Sequence, residues 1–474
     1  MKVFKNYING KNVLGEGKTI SVYNPVNGEV ITEFKGISPK QAEETLNAAE
    51  KAFEKWSALS MSEREKYILK YVEVIEKHRE ELIDMLIEET GKTYVNAESD
   101  YQMLPDCLRY FMNEVKTLNG EIIPDYKDEH INMIIRKPLG VVVGYLAWNF
   151  PLLNVGYKLG PVLASGCTCI LKPSSQTPLT TLYLGELAIE AGFPEGVINI
   201  VTGDNNLVGK VFNESQIPQM ITLIGSSQTG RRIIQESSTS IKHYSLELGG
   251  NAPVIVMKDA DVLDAAKKVA EGKINNCGQV CVAPNRIFVH QEVKNKFIEE
   301  ITKYFETVEY GSGKENGKVL VAPLSSMKAV EAMESLVEDA IRKGAKVIIG
   351  GKRVNRQGYF FEPTILTGIT KEMRVYKEEI FGPILPIIEY TDSDDIETLA
   401  NDTEYGLAAY IYTNNLSKAL NLAKNIDAGS VNVNEPYYQY NLPHGGCKQS
   451  GIGKDCSKYS LEEYFYIQRI SIKL

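Results

Sequence analysis

Apolar and polar positions over the first 120 residues read as short strands followed by helices. Residues 3–8 and 19–23 have strand character, with Asn24-Pro25 and Asn27-Gly28 as turns. Ser38-Pro39-Lys40-Gln41 reads as a capping box with proline at the first helical position. The helix it opens carries Ala42, Leu46, Ala49, Phe53 and Trp56, one apolar face at helical spacing. Residues 62–65 read as a second capping box. Its helix runs through Ile68, Tyr71, Val72 and Ile75 and continues, whole or broken, to a stop at Gly91.

From Gly140 the texture changes. Short apolar runs at residues 141–147, 169–172, 197–201, 220–225 and 244–248 alternate with helical segments. Such runs imply a parallel sheet covered on both faces, with ligands outside the carboxyl ends of its strands. Three loops fall there: Trp148-Asn149-Phe150-Pro151, Lys172-Pro173-Ser174-Ser175 and the stretch from Gly225 to Gly230. The last opens a helix and offers backbone N–H groups for a phosphate, although a plain strand-to-helix turn accounts for it as well. Lys172 ends an apolar strand and puts a charge at the ligand crevice. A second α/β run begins at Ala252, with strands at 253–257, Arg286–His290, 347–350, 359–366 and 384–389. The tail, 464–474, alternates apolar and polar residues and has no hairpin mate. It is expected to pair with another subunit.

Composition narrows the class. At 474 residues the chain needs two or three domains. A net charge of −9 with no basic stripe argues against nucleic acid as a partner. Seven cysteines at irregular spacings suggest free thiols in a reducing, cytoplasmic setting. No zinc-ligand spacing is found, so no metal site is expected. The N-terminus, MKVFKNYING, lacks the apolar stretch of a signal peptide, and the longest apolar run, 141–148, is too short to span a membrane.

The candidate chemistry centres on NNCGQVCVAPNR, residues 275–286. Cys281 is the candidate nucleophile, because a thiolate needs activating surroundings. Gly278 is expected to let the backbone pass close to a ligand, while Asn275, Asn276 and Gln279 supply uncharged polar groups. Glu247, ending an apolar run before Gly249-Gly250, is a candidate general base. Asn149 is a candidate amide donor. A lone cysteine is ordinarily a small buried hydrophobe and a lone glutamate before Gly-Gly a turn residue. The three together are a parts list for acyl chemistry through a thioester.

WNFP, LKPS, LIGSSQTG, LELGG, GQVC, EEIFGP and PHGGCKQSG, in this order across nearly the whole chain, resemble the aldehyde dehydrogenase superfamily. The resemblance implies an α/β fold: two parallel-sheet α/β domains plus a small β oligomerisation arm. The expected limits are 1–118 and 141–246 for the nucleotide-binding domain, 247–445 for the catalytic domain, and 119–140 with 455–474 for the arm. It implies oxidation of a small aldehyde to the carboxylic acid with NAD or NADP, in a homodimer or homotetramer. By match, Cys281 is the nucleophile and Glu247 activates the deacylating water. Asn149 and the Cys281 backbone N–H form the oxyanion hole. Lys172 and Glu379 hold the two riboses, and Gly225 and Ser226 lie at the pyrophosphate. Trp148, Ser174, Leu248 and Phe381 complete the cofactor set. Lys158 and Asp455 match a proton-relay pair, with Asp where the family usually has Glu.

One departure bears on the cofactor. NAD-strict members carry Glu where this chain has Ser175, so NADP is expected to be accepted. The substrate is less defined. Phe150, Tyr157, Tyr438 and Tyr440 are the expected pocket. Tyr157 stands where succinate-semialdehyde enzymes often carry Arg, leaving Arg286 or Arg109 as replacement cations. The tail resembles the aminobutyraldehyde and betaine-aldehyde branch, and a lactaldehyde-type substrate is a further alternative. Competing readings are a CoA-acylating enzyme, a cysteine hydrolase or esterase, and a protein in which Cys277 and Cys281 form a thiol switch. For the hydrolase, no partner can be assigned among His78, His130, His243, His290 and His444.

Overall fold

The computed structural model describes residues 4–313 and 320–474. Ser38 and Gln41 form the expected reciprocal cap on the helix Pro39–Ala58, which buries Ala42, Leu46, Ala49, Ala52 and Trp56. The next cap is Ser60 with Glu63, two residues earlier than the spacing suggested. The reason is local. Leu59 ends the first helix in an extended conformation, so Ser60 is the first residue able to cap. That second helix, Met61–Lys77, breaks at His78, and Arg79–Thr90 then runs to a left-handed Gly91.

The first sheet has eight strands. Its parallel centre is ordered Ile198–Ile200, Thr168–Lys172, Val141–Tyr145, Pro218–Ile224, His243–Glu247. The chain winds outward from Val141–Tyr145 in one direction and then returns to its other side with Pro218–Ile224. The crevice therefore lies between the carboxyl ends of those two strands, where Trp148 and Gly225 follow. The strand bearing Glu247 belongs to this sheet, and its outer neighbour is the antiparallel Gly451–Ile452.

The second sheet has seven strands, ordered Lys346–Ile349, Thr364–Thr367, Ile384–Tyr390, Arg286–His290, Pro253–Val256, Ala408–Tyr412, Ser430–Val433. All are parallel except the first. The two sheets have their own apolar cores. A third sheet joins Glu121–Ile123, His130–Pro138 and Phe465–Lys473. The tail strand therefore does have a mate in its own chain. It pairs antiparallel with His130–Pro138 over all nine residues, which the sequence could not show because the two lie more than 300 positions apart. Among the described residues no strand lies beside its outer edge.

Arg286 is not a substrate cation. Its fully buried guanidinium donates to the carbonyls of Asn251, Leu399, Ala400 and Asp402. Arg109 is half-buried and paired with Glu76 at 2.7 Å. Arg286→Leu removes its bonds to those carbonyls, at roughly 1–3 kcal/mol for each buried group left unpaired. Thermal unfolding should show a clear fall in Tm, and an unchanged Tm would remove Arg286 from its structural role.

Candidate active site

A cavity of about 640 Å³ opens where the carboxyl ends of the two sheets meet. Cys281, Glu247, Asn149 and Asp455 line it, as do Trp148, Lys172, Ser174, Gly225, Ser226, Leu248, Glu379 and Phe381. The cysteine loop is strained. Asn276, Cys277 and Gly278 all have positive φ, at 46°, 55° and 73°. Non-glycine residues there cost on the order of 1–3 kcal/mol each and persist only where the surroundings hold them. Gln279 supplies much of that hold. Its buried side chain donates to Asn276 O at 2.9 Å and Pro323 O at 3.3 Å, and accepts from Ser325 N at 2.8 Å. Gly278 serves a different approach from the expected one. A Cβ there would stand 2.3 Å from the carbonyl oxygen of Gly382, so the close neighbour is the loop after Glu379 rather than a ligand.

Asn149 is 7% exposed and donates from Nδ2 to Gln279 O at 3.2 Å, while Asn276 donates to Asn149 O at 3.2 Å. The bond fixes the amide beside the cysteine loop and uses one of its two N–H hydrogens. Glu247 sits at the end of its strand, 4% exposed. Its Oε1 lies 3.4 Å from His444 Nε2, and Cys281 Sγ lies 4.0 Å from the same nitrogen. Burial, then the Glu247 carboxylate, then Glu379 push the pKa of the thiol well up, so a thiolate there needs a partner that offsets them. Lys158 and Asp455 are buried and paired at 2.5 Å. Burial raises the pKa of Asp455, and the Lys158 ammonium opposes that.

At the cofactor end, Lys172 donates to the Asn205 side-chain oxygen. Burial pushes its pKa down to about 8, with Asp204 opposing and Arg232 adding to the shift. Arg232, which the sequence reading did not single out, also lines the cavity. Ser175 is exposed, one residue beyond the lining Ser174. Ser226 caps the helix Ser227–Glu236 through Thr229 N. Glu379 accepts from Gly250 N at 3.0 Å, and burial raises its pKa to about 7. The Trp148 and Phe381 rings meet edge to face at 5.4 Å. Two cations at one end, a helix N-terminus and a carboxylate suit a dinucleotide, as the fold's crevice does.

At the substrate end, Phe150, Tyr157 and Tyr438 line the cavity together with Tyr410 and His444. Tyr440 lines neither this cavity nor the smaller adjoining one; its ring packs on Tyr110 at 5.3 Å. Cys277 is fully buried in the core of the second sheet and is absent from the lining, so it faces packing rather than the reactive sulfur. Sequence reasoning missed His444, Arg232 and Tyr410. For His444 the signal was present in PHGG, the one histidine of five inside a glycine-bearing motif.

The family model described as the aldehyde dehydrogenase family matches residues 13–470. The NADP-dependent succinate-semialdehyde dehydrogenase of Escherichia coli K12 is 37% identical over 97% of this chain and 95% of its own. The glutarate-semialdehyde dehydrogenase of Pseudomonas putida KT2440 is also 37% identical, over 99% and 97%. A crystal structure of an E. coli NADP-dependent enzyme superposes with a TM-score of 0.97 at 36% identity, covering 100% of this chain and 98% of that one. The chain therefore belongs to the aldehyde dehydrogenase family and is an NAD(P)-dependent oxidoreductase that converts an aldehyde to its carboxylic acid.

Proposed function

We propose that Cys281 is the nucleophile, Glu247 the base for hydrolysis, Asn149 with the Cys281 N–H the oxyanion donors, and Lys158–Asp455 the route for the released proton. The observation that carries this is the meeting of the Cys281 sulfur and the buried Glu247 carboxylate around one point of the cavity wall. Cys281 adds to the aldehyde carbon, and Asn149 Nδ2 stabilises the oxyanion, worth about 3–4 kcal/mol in comparable holes. Trp148, Lys172, Gly225, Ser226, Glu379 and Phe381 would hold the nicotinamide dinucleotide, which would supply the acceptor for the hydride. Glu247 then deprotonates a water that cleaves the Cys281 thioester. A carboxylate so placed favours hydrolysis over transfer to CoA.

Lys172, Arg232 and the hydroxyls of Ser174 and Ser175 favour NADP at least as well as NAD. Two cations and two hydroxyls suit a 2′-phosphate, and no acidic residue occupies the Ser175 position. The substrate reading departs from the relatives' names. The adjoining cavity of about 330 Å³ includes Tyr157, Asn432, Tyr437, Tyr438 and His444 in its wall, and no Lys or Arg lines it. The Glu247 carboxylate lies beside His444, which both cavities share. A short uncharged or cationic aldehyde fits such a wall better than a semialdehyde bearing a carboxylate. Assembly as a homodimer or homotetramer, in the cytoplasm, is supported by the open edge of Phe465–Lys473, with Ile467 and Ile472 exposed, and by seven free cysteines.

Cys281→Ala should abolish turnover while NADP still binds; retained oxidation would sink the nucleophile assignment. Glu247→Gln should slow deacylation more than hydride transfer, so rapid mixing should show a burst of reduced nucleotide before a slow steady state. For the cofactor, Lys172 loses its charge above about pH 8 in the free enzyme. NADP affinity should therefore fall between about pH 7 and 9 while NAD affinity falls less, as calorimetry will show. Parallel losses would detach Lys172 from the 2′-phosphate. Across an aldehyde panel, kcat/KM should be at least about tenfold higher for a short aminoaldehyde or neutral hydroxyaldehyde than for succinate semialdehyde, a gap of roughly 1.4 kcal/mol. The reverse order would overturn the substrate reading.

A further inference from the structure

We propose that His444 is the proton acceptor of the catalytic thiol: before nucleotide binds, the Sγ proton of Cys281 passes to the imidazole Nε2, leaving a thiolate beside an imidazolium. The proposal rests on the reading of Cys281 as nucleophile and adds a residue that this reading does not use.

The charges around the sulfur make a partner necessary. Glu247 and Glu379 both disfavour a thiolate at Cys281. The nearby lysines are committed elsewhere. Lys273 donates to Pro284 O at 2.8 Å and interacts with Cys277 and Glu379, and Lys158 is paired with Asp455. The hydroxyls of Tyr410 and Tyr438 bond one another at 2.8 Å, and Tyr410 donates to Val282 O at 2.6 Å. Among the described residues facing the sulfur, His444 is the one with a basic nitrogen within reach, at 4.0 Å. An imidazole exchanges its proton near neutral pH without needing burial to shift it.

The ring is also held in place. His444 and Asp455 exchange backbone hydrogen bonds, N to O at 2.7 Å one way and 2.5 Å the other. The Tyr157 and Tyr438 rings flank the imidazole at 6.2 Å and 5.9 Å. Glu247 Oε1, 3.4 Å from the same nitrogen and without a hydrogen-bond partner, is placed to stabilise the imidazolium once it forms. One nitrogen thus faces the atom that loses the proton and the carboxylate that favours its charged form.

The test is the pH dependence of Cys281 alkylation by iodoacetamide in nucleotide-free protein. The Cys281 peptide is followed by mass spectrometry, because Cys447 is exposed and will also react. His444→Phe and His444→Asn are compared with wild type after circular dichroism and NADP binding confirm the fold. At about pH 7 both variants should alkylate at least about tenfold more slowly than wild type, and their profiles should move to higher pH. Variant profiles that superimpose on the wild-type one would overturn the proposal. So would a profile that moves to higher pH only in Glu247→Gln, since the carboxylate would then be the acceptor. Alkylation needs no turnover, so this result is separate from the fate of Cys281→Ala, which tests the nucleophile reading itself.

Discussion

Three adjacent polar side chains, Asn251, Asn285 and Arg286, tie together the segments that make the site. Asn251 lies just after Glu247 and the two glycines, and its Nδ2 donates to Tyr376 O at 3.1 Å and Lys377 O at 3.3 Å. Asn285 donates to the Asn251 side chain at 2.5 Å and to Glu378 O at 3.1 Å, and accepts from Ile380 N at 3.1 Å. Arg286 draws in the 399–402 segment. All three are buried, so each bond broken leaves a polar group with no water to replace its partner. The base strand, the cysteine loop and the Glu379 loop are thereby fixed to one another, and the positive-φ run before Cys281 is tolerated because its ends cannot move. Gly250 is part of the same arrangement, since a Cβ there would stand 2.5 Å from Cys281 O.

The site that results is acidic where the chemistry occurs and basic where the cofactor's phosphate is expected. Burial raises the pKa of Glu379 and of the Cys281 thiol while lowering that of Lys172. All three shifts share one cause, the loss of water around a charge. The consequence differs by position. A lowered lysine binds phosphate in a pH-dependent way, and a raised thiol must find a cation before it can react. His444 at 4.0 Å meets that need at one side of the sulfur, and its bridge to Asp455 couples it to the Lys158 pair.

Much of this was legible in the chain itself. Periodicity marked the capped helix at Ser38 and the apolar strands of both sheets because those signals are local. The motif set identified the family, and with it Cys281, Glu247 and Asn149, whose side chains the structure brings to one cavity. Local reading failed wherever a contact spanned the chain. The tail strand finds its partner at His130–Pro138, more than 300 residues away. Arg286 and Tyr440 have the chemistry of pocket residues, but packing turns one into the centre of a carbonyl cluster and the other onto Tyr110. Arg232 has no sequence neighbour that declares a role, and PHGG marks His444 without saying what it faces; one lines the cavity with Lys172 and the other sits by Cys281 only because separate segments converge there. The sequence alone determined which reactive groups the chain offers, because a thiol, a carboxylate and a strand-end lysine are properties of side chains in short motifs. Only the tertiary structure decided what surrounds them, because burial and proximity are set by which distant segments close on the cavity.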